Sequence, residues 1–353
     1  MMIPMDDKNI EHRNLQISGG STYVISLPKK WIERLNLKNG DSMKIVNNPN
    51  YSITLLPDTI IQKTSSHPVI KIKKTDSLES IKRKVISLYA SGHDFIIVKS
   101  PRSKLETDVR SMIIKLIRTK FVGTEIIESD SVSITIKVLT VNPEMKLELA
   151  FNRMYKSTSN MFFELIHAIE KNDLEYAEEI IQMDDEIDRF SHYLTRNLVM
   201  SLDDRNILSQ LGLEKTSQVI GYKRIITCVE RIADHISLIA KIVVNPQNNL
   251  KNIPKEIIPE YEKTITLFDN IMNLVSERDY VNAESFAMQI EESLDNISEM
   301  IGLTKNNENS VISKNLLYEN KRILDYLLDV CEVVMNETVN SVVSHNESEV
   351  IPK

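Results

Sequence analysis

Glu230 and Asp234 stand four residues apart, and Asp325 and Asp329 repeat that spacing 95 residues later. Carboxylates four apart on a helix project from one face, one turn from each other. Two such pairs on facing helices make an oxygen-rich surface suited to divalent or ferric metal ions. With a bound metal they could also activate water, as two-metal hydrolases do. No substrate-binding loop, nucleophile–base pair or glycine-rich phosphate cradle accompanies them, so the expectation is a protein that is not an enzyme. The bland alternative is a solvated acidic groove neutralised locally by Arg231 or Lys223. His235 is a further candidate ligand, although a hydrogen-bonded helix histidine is the commoner outcome. A second chemistry lies near the start of the chain. Within residues 12–48, Arg13, Lys29, Lys30, Arg34, Lys38 and Lys44 face only two acids, Glu33 and Asp41. Such residues hold phosphates with salt-sensitive, largely sequence-independent affinity.

The acidic pairs need helices to present them. Residues 222–244 carry apolar side chains at Ile225, Ile226, Val229, Ile232, Ala233, Ile236, Ile239, Ala240 and Val243, the spacing of a buried helical stripe. Glu230 and Asp234 fall on its edge, where burial is costly unless cations or donors meet them. Residues 316–343 repeat the pattern around Asp325 and Asp329. The duplication extends upstream at an offset of 106, aligning Tyr155 with Tyr261, Phe162 with Phe268, Asp173 with Asp279, Ala177 with Ala283 and Glu178 with Glu284. The eleven-residue difference between the two offsets falls in the loop before the third helix, where length changes cost little. A helical domain over 143–345 is expected, made of two three-helix repeats, 143–245 and 255–345. Pro246, Pro254 and Pro259 mark the junction.

Composition supports this. The 353 residues are 42% hydrophobic and 26% charged, with only 8 glycines and 11 prolines, as in a folded, helix-rich chain. Cys228 and Cys331 sit inside helical stripes without metal-ligand spacing, so they read as core hydrophobes in a reducing, cytoplasmic setting. No signal pattern opens the sequence and no run of eighteen apolar residues occurs, so no membrane insertion is expected. The net charge of −7 hides a split. Residues 1–142 hold 22 Lys and Arg against 14 Asp and Glu, a balance of +8; the remainder holds 21 against 36, a balance of −15. A basic front and an acidic rear imply different partners.

The front divides in two. Residues 9–58 read as a small β unit, with strands around the Gly19-Gly20 turn, a short helix opened by Pro28, an Asn39-Gly40-Asp41 turn and two more strands. So short a unit buries little alone, and intertwined pairing with a second chain is expected. Residues 66–142 read as strand, helix, strand, helix, strand, strand: a small α/β connector whose first helix is capped by Ser77. Lys71, Lys73, Lys74, Lys82, Arg83 and Lys84 would extend the basic surface there, or simply solvate a helix face.

Two families are resembled. The front is similar to the AbrB/SpoVT swapped-hairpin DNA-binding domains at Gly20, Ser26-Leu27-Pro28-Lys29, Leu37 and Gly40-Asp41. That resemblance implies DNA contact through Arg13, Ser21, Thr22, Lys29, Lys30 and Arg34. The rear resembles the PhoU family, matching D-x-x-I-D at Asp184, Ile187 and Asp188, and E-R-I-x-D-H at Glu230, Arg231, Ile232, Asp234 and His235. It implies metal ions on the acidic faces at Glu230, Asp234, Asp325 and Asp329. The family's following asparagine is replaced by Leu238 and Val333, and the second repeat has Asp325 for glutamate and Tyr326 for arginine, which weakens that implication. An AbrB-like head, an α/β connector and a PhoU-like all-α body together resemble archaeal phosphate-uptake regulators. The implied function is a multidomain transcriptional regulator of phosphate homeostasis: a homodimer or higher oligomer that binds DNA and engages a phosphate ABC transporter or sensor protein. The alternative is an adaptor that restrains such a transporter and uses its front only to dimerise.

Overall fold

The computed structural model describes residues 11–47, 52–58, 67–100, 104–140, 143, 145–171, 174–245, 257–304 and 308–344. Pro246, Pro254 and Asp173 lie outside them. The chain forms two compact units, residues 1–66 and 67–353.

In the first unit, β1 (Gln16–Ser18) pairs antiparallel with β2 (Thr22–Val24). The turn between them needs Gly19 and Gly20, whose φ angles of 64° and 85° lie in the left-handed region. Pro28 precedes α1 (Lys29–Arg34) at the cap position, just ahead of the first helical residue. The Asp41 carboxylate then closes a turn by accepting from the Lys38 backbone N–H at 2.6 Å. β3 (Met43–Asn47) pairs antiparallel with β4 (Ile53–Pro57). The two hairpins form separate two-stranded sheets. Among the described residues here only Pro57 is buried, while Ile17 and Ile45 stay 66% exposed and Tyr23 69%. Each such side chain forgoes about 1.5–3 kcal/mol of burial.

The second unit begins with β5 (Val69–Lys71), α2 (Leu78–Ala90), β6 (Phe95–Lys99), α3 (Thr107–Lys120), β7 (Thr124–Ser129) and β8 (Ser133–Val138). This is the expected element order. Ser77 caps α2 by accepting from the Ser80 N–H at 3.1 Å. The sheet runs β5-β6-β8-β7, with β5 and β6 parallel and the other pairs antiparallel. Ile81, Val85, Tyr89, Ile96, Val98, Ile113, Ile134 and Ile136 fill its core.

Helices α4 (Leu147–Lys171), α5 (Leu174–Asp203) and α7 (Gln218–Val244) form the first repeat, and α8 (Ile257–Glu277), α9 (Tyr280–Leu303) and α10 (Glu308–Thr338) the second. The eleven extra residues are not plain loop: they hold α6 (Arg205–Gln210), capped by Asp204 and buried through Ile207 and Leu208. Pro259 falls in the first turn of α8, where its missing N–H leaves no bond unmade. Phe162 and Phe268, equivalent by the repeat, meet with ring centroids 5.5 Å apart. A contact between equivalent residues places the pseudo-twofold relation between α4 and α8.

Connector and body have separate cores yet form one unit, because side chains cross between them. Arg196 of α5 is 2% exposed. It donates to the carbonyls of Tyr89 (2.9 Å) and His93 (2.8 Å) and to the Asp94 carboxylate (2.6 Å), with its guanidinium 5.2 Å from the Tyr89 ring centre. The connector expected over 66–142 and the helical domain expected over 143–345 thus lie in one compact unit.

Candidate functional site

The stripe on α7 buries Ile225, Ile226, Val229, Ile232, Ala233 and Ile236 against α5 and α10. Rotating from that stripe toward solvent brings Glu230 and Asp234 to the flank facing α5, where Asp184 and Asp188 also lie one turn apart. One oxygen each of Asp188, Glu230 and Asp234 lies within 4.8 Å of the others. Asp188 was absent from the two spaced pairs. Its signal was the D-x-x-I-D motif, which places it on the same face as Asp184.

Three or four half-buried carboxylates repel one another. Burial, then the charge of Asp234, pushes Glu230 up to about 7, with Arg231 pulling the other way. Burial and the charges of Asp188 and Asp234 push Asp184 up to about 6. Asp234 is raised as well, first by burial and then by Asp188. Local cations reach only part of the cluster. Arg231 approaches Asp234 at 3.3 Å and Glu230 at 3.6 Å.

Lys223 and Lys241 of α7 act on the cluster from farther off, and a further cation comes from the connector. Lys120, the last residue of α3, extends its ammonium to both Asp185 and Asp188. Burial pulls its pKa down, but the hydrogen bonds and charges of the two aspartates outweigh that and leave it raised. The neighbouring chain is held firmly. Phe121 stacks on Tyr89 at 4.2 Å, and the Tyr89 hydroxyl donates to the Val122 carbonyl at 3.2 Å. His192 packs edge-on to Phe121, and burial holds its imidazole below the ordinary histidine range.

The second acidic pair has different surroundings. Asp325 accepts from Arg322 at 3.0 Å, and Asp329 from Arg224 of the first repeat at 2.5 Å. At the positions equivalent to Asp184 and Asp188, α9 carries Ile290 and Leu294. Among the described residues no third acid joins this pair. Glu319 stands where the repeat would place a counterpart of Arg224, and it contacts His235 directly. Of the four acids expected to hold metal, the structure thus groups Glu230 and Asp234 with Asp188 and gives Asp325 and Asp329 to arginines.

The residues expected to touch DNA are all exposed: Arg13, Ser21, Thr22, Lys29, Lys30 and Arg34. Ser21 and Thr22 close the β1–β2 turn. Arg13 pairs with Glu11, Lys29 with Glu33 at 3.6 Å, and Lys44 with Asp58 at 3.5 Å. Such exposed pairs are worth about 0–1 kcal/mol and yield readily to phosphate.

Residues 151–243, spanning the α4–α5–α7 face that holds the cluster, match the PhoU domain model. This helical segment is PhoU-like. Residues 16–62 match the model of the bacterial antitoxin MazE, described as antidote-toxin recognition. Among solved structures, the phosphate transport system regulatory protein PhoU of Streptococcus pneumoniae is 21% identical with a TM-score of 0.45. PhoU of Pseudomonas aeruginosa is 14% identical with a TM-score of 0.46. Each alignment covers 56% of this chain and 96% of the other. No curated protein matches. No helix of the described residues is long and apolar enough to cross a membrane.

Proposed function

We propose that this chain is a DNA-binding regulator of phosphate uptake, in which a paired β head grips the operator and a PhoU body senses or docks. The observation that carries this reading is the union of a MazE-type domain and a PhoU domain in one polypeptide. The exposed apolar side chains of the head support a homodimer, since a second copy would give Ile17, Tyr23, Ile45 and Ile53 the core they lack.

In the same reading a hard cation is held by Asp188, Glu230 and Asp234, with Asp184 adding charge. The donor set fits: all oxygen, mutually repelling and short of neutralisation. The Lys120 ammonium already stands in as a cation on Asp188. Such an ion would supply positive charge that local side chains provide only in part. Lys120 competes for the same Asp188 oxygens, so the connector registers whether the cluster is filled.

The test is fluorescence anisotropy of the full chain on the duplex upstream of its own coding sequence, against a scrambled duplex. Preference for the native duplex is expected, and equal weak binding to both would sink the reading. In the adaptor alternative the head only dimerises, a role for which its exposed Ile17, Tyr23, Ile45 and Ile53 suffice. Under that alternative the body would act on a transporter or sensor protein.

A further inference from the structure

Most of the front's positive charge is not in the head. Residues 1–66 hold 8 Lys and Arg against 6 Asp and Glu, while residues 67–142 hold 14 against 8. The connector therefore supplies +6 of the front's +8. That excess is concentrated where edge strand β5 meets α2. A cleft of about 620 Å³ runs between them, lined by Lys71, Lys73, Arg83 and Lys84 along with Ser80 and Ser87.

The nearby acids are already engaged. Asp76 accepts from Lys84 Nζ at 2.8 Å and from the Lys73 backbone N–H at 3.0 Å, which fixes the loop leading into α2. Glu79 pairs with Lys82 at 3.7 Å. Lys71, Lys73 and Arg83 are exposed and pair with no carboxylate among the described residues. Lys73 also lines the adjoining cleft, where Lys74 and Lys104 face Asp76 and Glu106.

Lysine on an edge strand can simply discourage edge-to-edge pairing. Only Lys71 lies on β5, however; Lys73 and Lys74 sit on the loop and Arg83 on the helix, where that purpose does not apply. Three cations without an ion pair among the described residues, of which only Lys73 feels the Asp76 charge, converge on one open cleft with hydroxyls between them and suit a polyanion whose charges recur along a backbone.

We propose that the β5–α2 cleft of the connector is a second nucleic-acid surface that holds phosphates of the DNA flanking the site engaged by the head. This rests on the DNA-binding reading above and assigns the greater part of its electrostatic affinity to the connector. The three side chains position the duplex and read no bases, so they add affinity without sequence preference.

The experiment measures anisotropy of the full chain on the upstream duplex between about 50 and 200 mM salt, for the natural chain, K29A/K30A and K71A/K73A/R83A. Each lost phosphate contact lowers the slope of log affinity against log salt by about 0.9, so the triple variant should lose about 2.7 per cleft. About 40-fold of the affinity loss across that salt range would then disappear, with sequence preference retained. All three residues are exposed, so an unchanged melting temperature checks that folding is intact. If the head variant flattens the slope and the cleft variant does not, the proposal is wrong and the regulator reading stands. If the natural chain binds no duplex at any salt, both fail. If the cleft variant instead weakens self-association in light scattering and leaves DNA affinity untouched, the cleft serves the acidic body of a second copy, which overturns the assignment.

Discussion

Replacing Glu230 by glutamine should stabilise the protein at alkaline pH, although it deletes a charged residue from the most distinctive site in the body. Glu230 lies 22% exposed beside Asp234 and near Asp188, and its pKa stands at about 7 instead of the ordinary 4.5. A shift of that size corresponds to about 3 kcal/mol, and residual solvent contact brings the useful figure to about 2–3 kcal/mol. The folded state holds the proton more tightly than the unfolded chain does. The stabilisation is fully present below about pH 4.5 and is lost as pH rises through about 7. At pH 8 the folded protein therefore carries a carboxylate that the cluster opposes, and Glu230→Gln removes it. Calorimetry in chelating buffer should show the melting temperature rising by about 4–8 °C at pH 8, with little change at pH 5. Saturating manganese should close most of that gap, because an ion bound only to the folded state at a hundred times its Kd contributes about 2.7 kcal/mol, and the glutamine holds it less well. A loss of stability at pH 8, or an equal gain at both pH values, would mean that Glu230 is not held protonated by the cluster.

Lys120→Met should raise manganese affinity about tenfold by titration calorimetry, since it removes the ammonium that competes for Asp188; unchanged affinity would mean Lys120 is not a competitor. Arg196→Leu should cost about 1–3 kcal/mol in denaturant unfolding, because it takes the donor from the buried Tyr89 carbonyl and the part-buried His93 carbonyl, while Asp94, 43% exposed, can turn to water. A cost under about 1 kcal/mol would mean the connector docks without it. Ile45→Asp, at a side chain 66% exposed in the single chain, should shift the full-length protein toward monomer in light scattering. A dimer of undiminished stability would place the interface elsewhere.

Periodicity was legible in the sequence and long-range single contacts were not. The apolar stripe of α7, the Ser77 cap and the strand–helix order of the connector follow from local spacing, and each appears within a few residues of its expected place. The repeat was legible for the same reason, since Phe162 and Phe268 align at a fixed offset and then touch. Lys120 on Asp188 spans 68 residues and Arg196 on Asp94 spans 102, each a lone side chain with no period. Such contacts decide whether the connector is a separate domain, and only the fold reveals them. The short helix α6 was hidden because eleven residues of difference look like loop.

The two repeats share a frame but differ in how they settle their acids. In the second, Arg322 and Arg224 each take one aspartate, and Ile290 and Leu294 replace the facing carboxylates. Apolar side chains and arginine pairs make that half self-sufficient. In the first, α5 adds Asp184 and Asp188, while Glu319 stands where the repeat would place an arginine. The arginine that neutralises the second pair thus has an acidic counterpart beside the first, and the deficit of positive charge falls on one cluster only. Lys120 meets part of that deficit, and it arrives from the connector that also carries most of the front's basic charge. Divergence of a duplicated helix pair therefore leaves one half as scaffold and the other dependent on a cation from outside the body. That dependence is a physical basis for the proposed coupling, because an ion that satisfied the cluster would weaken the hold of Asp188 on the connector.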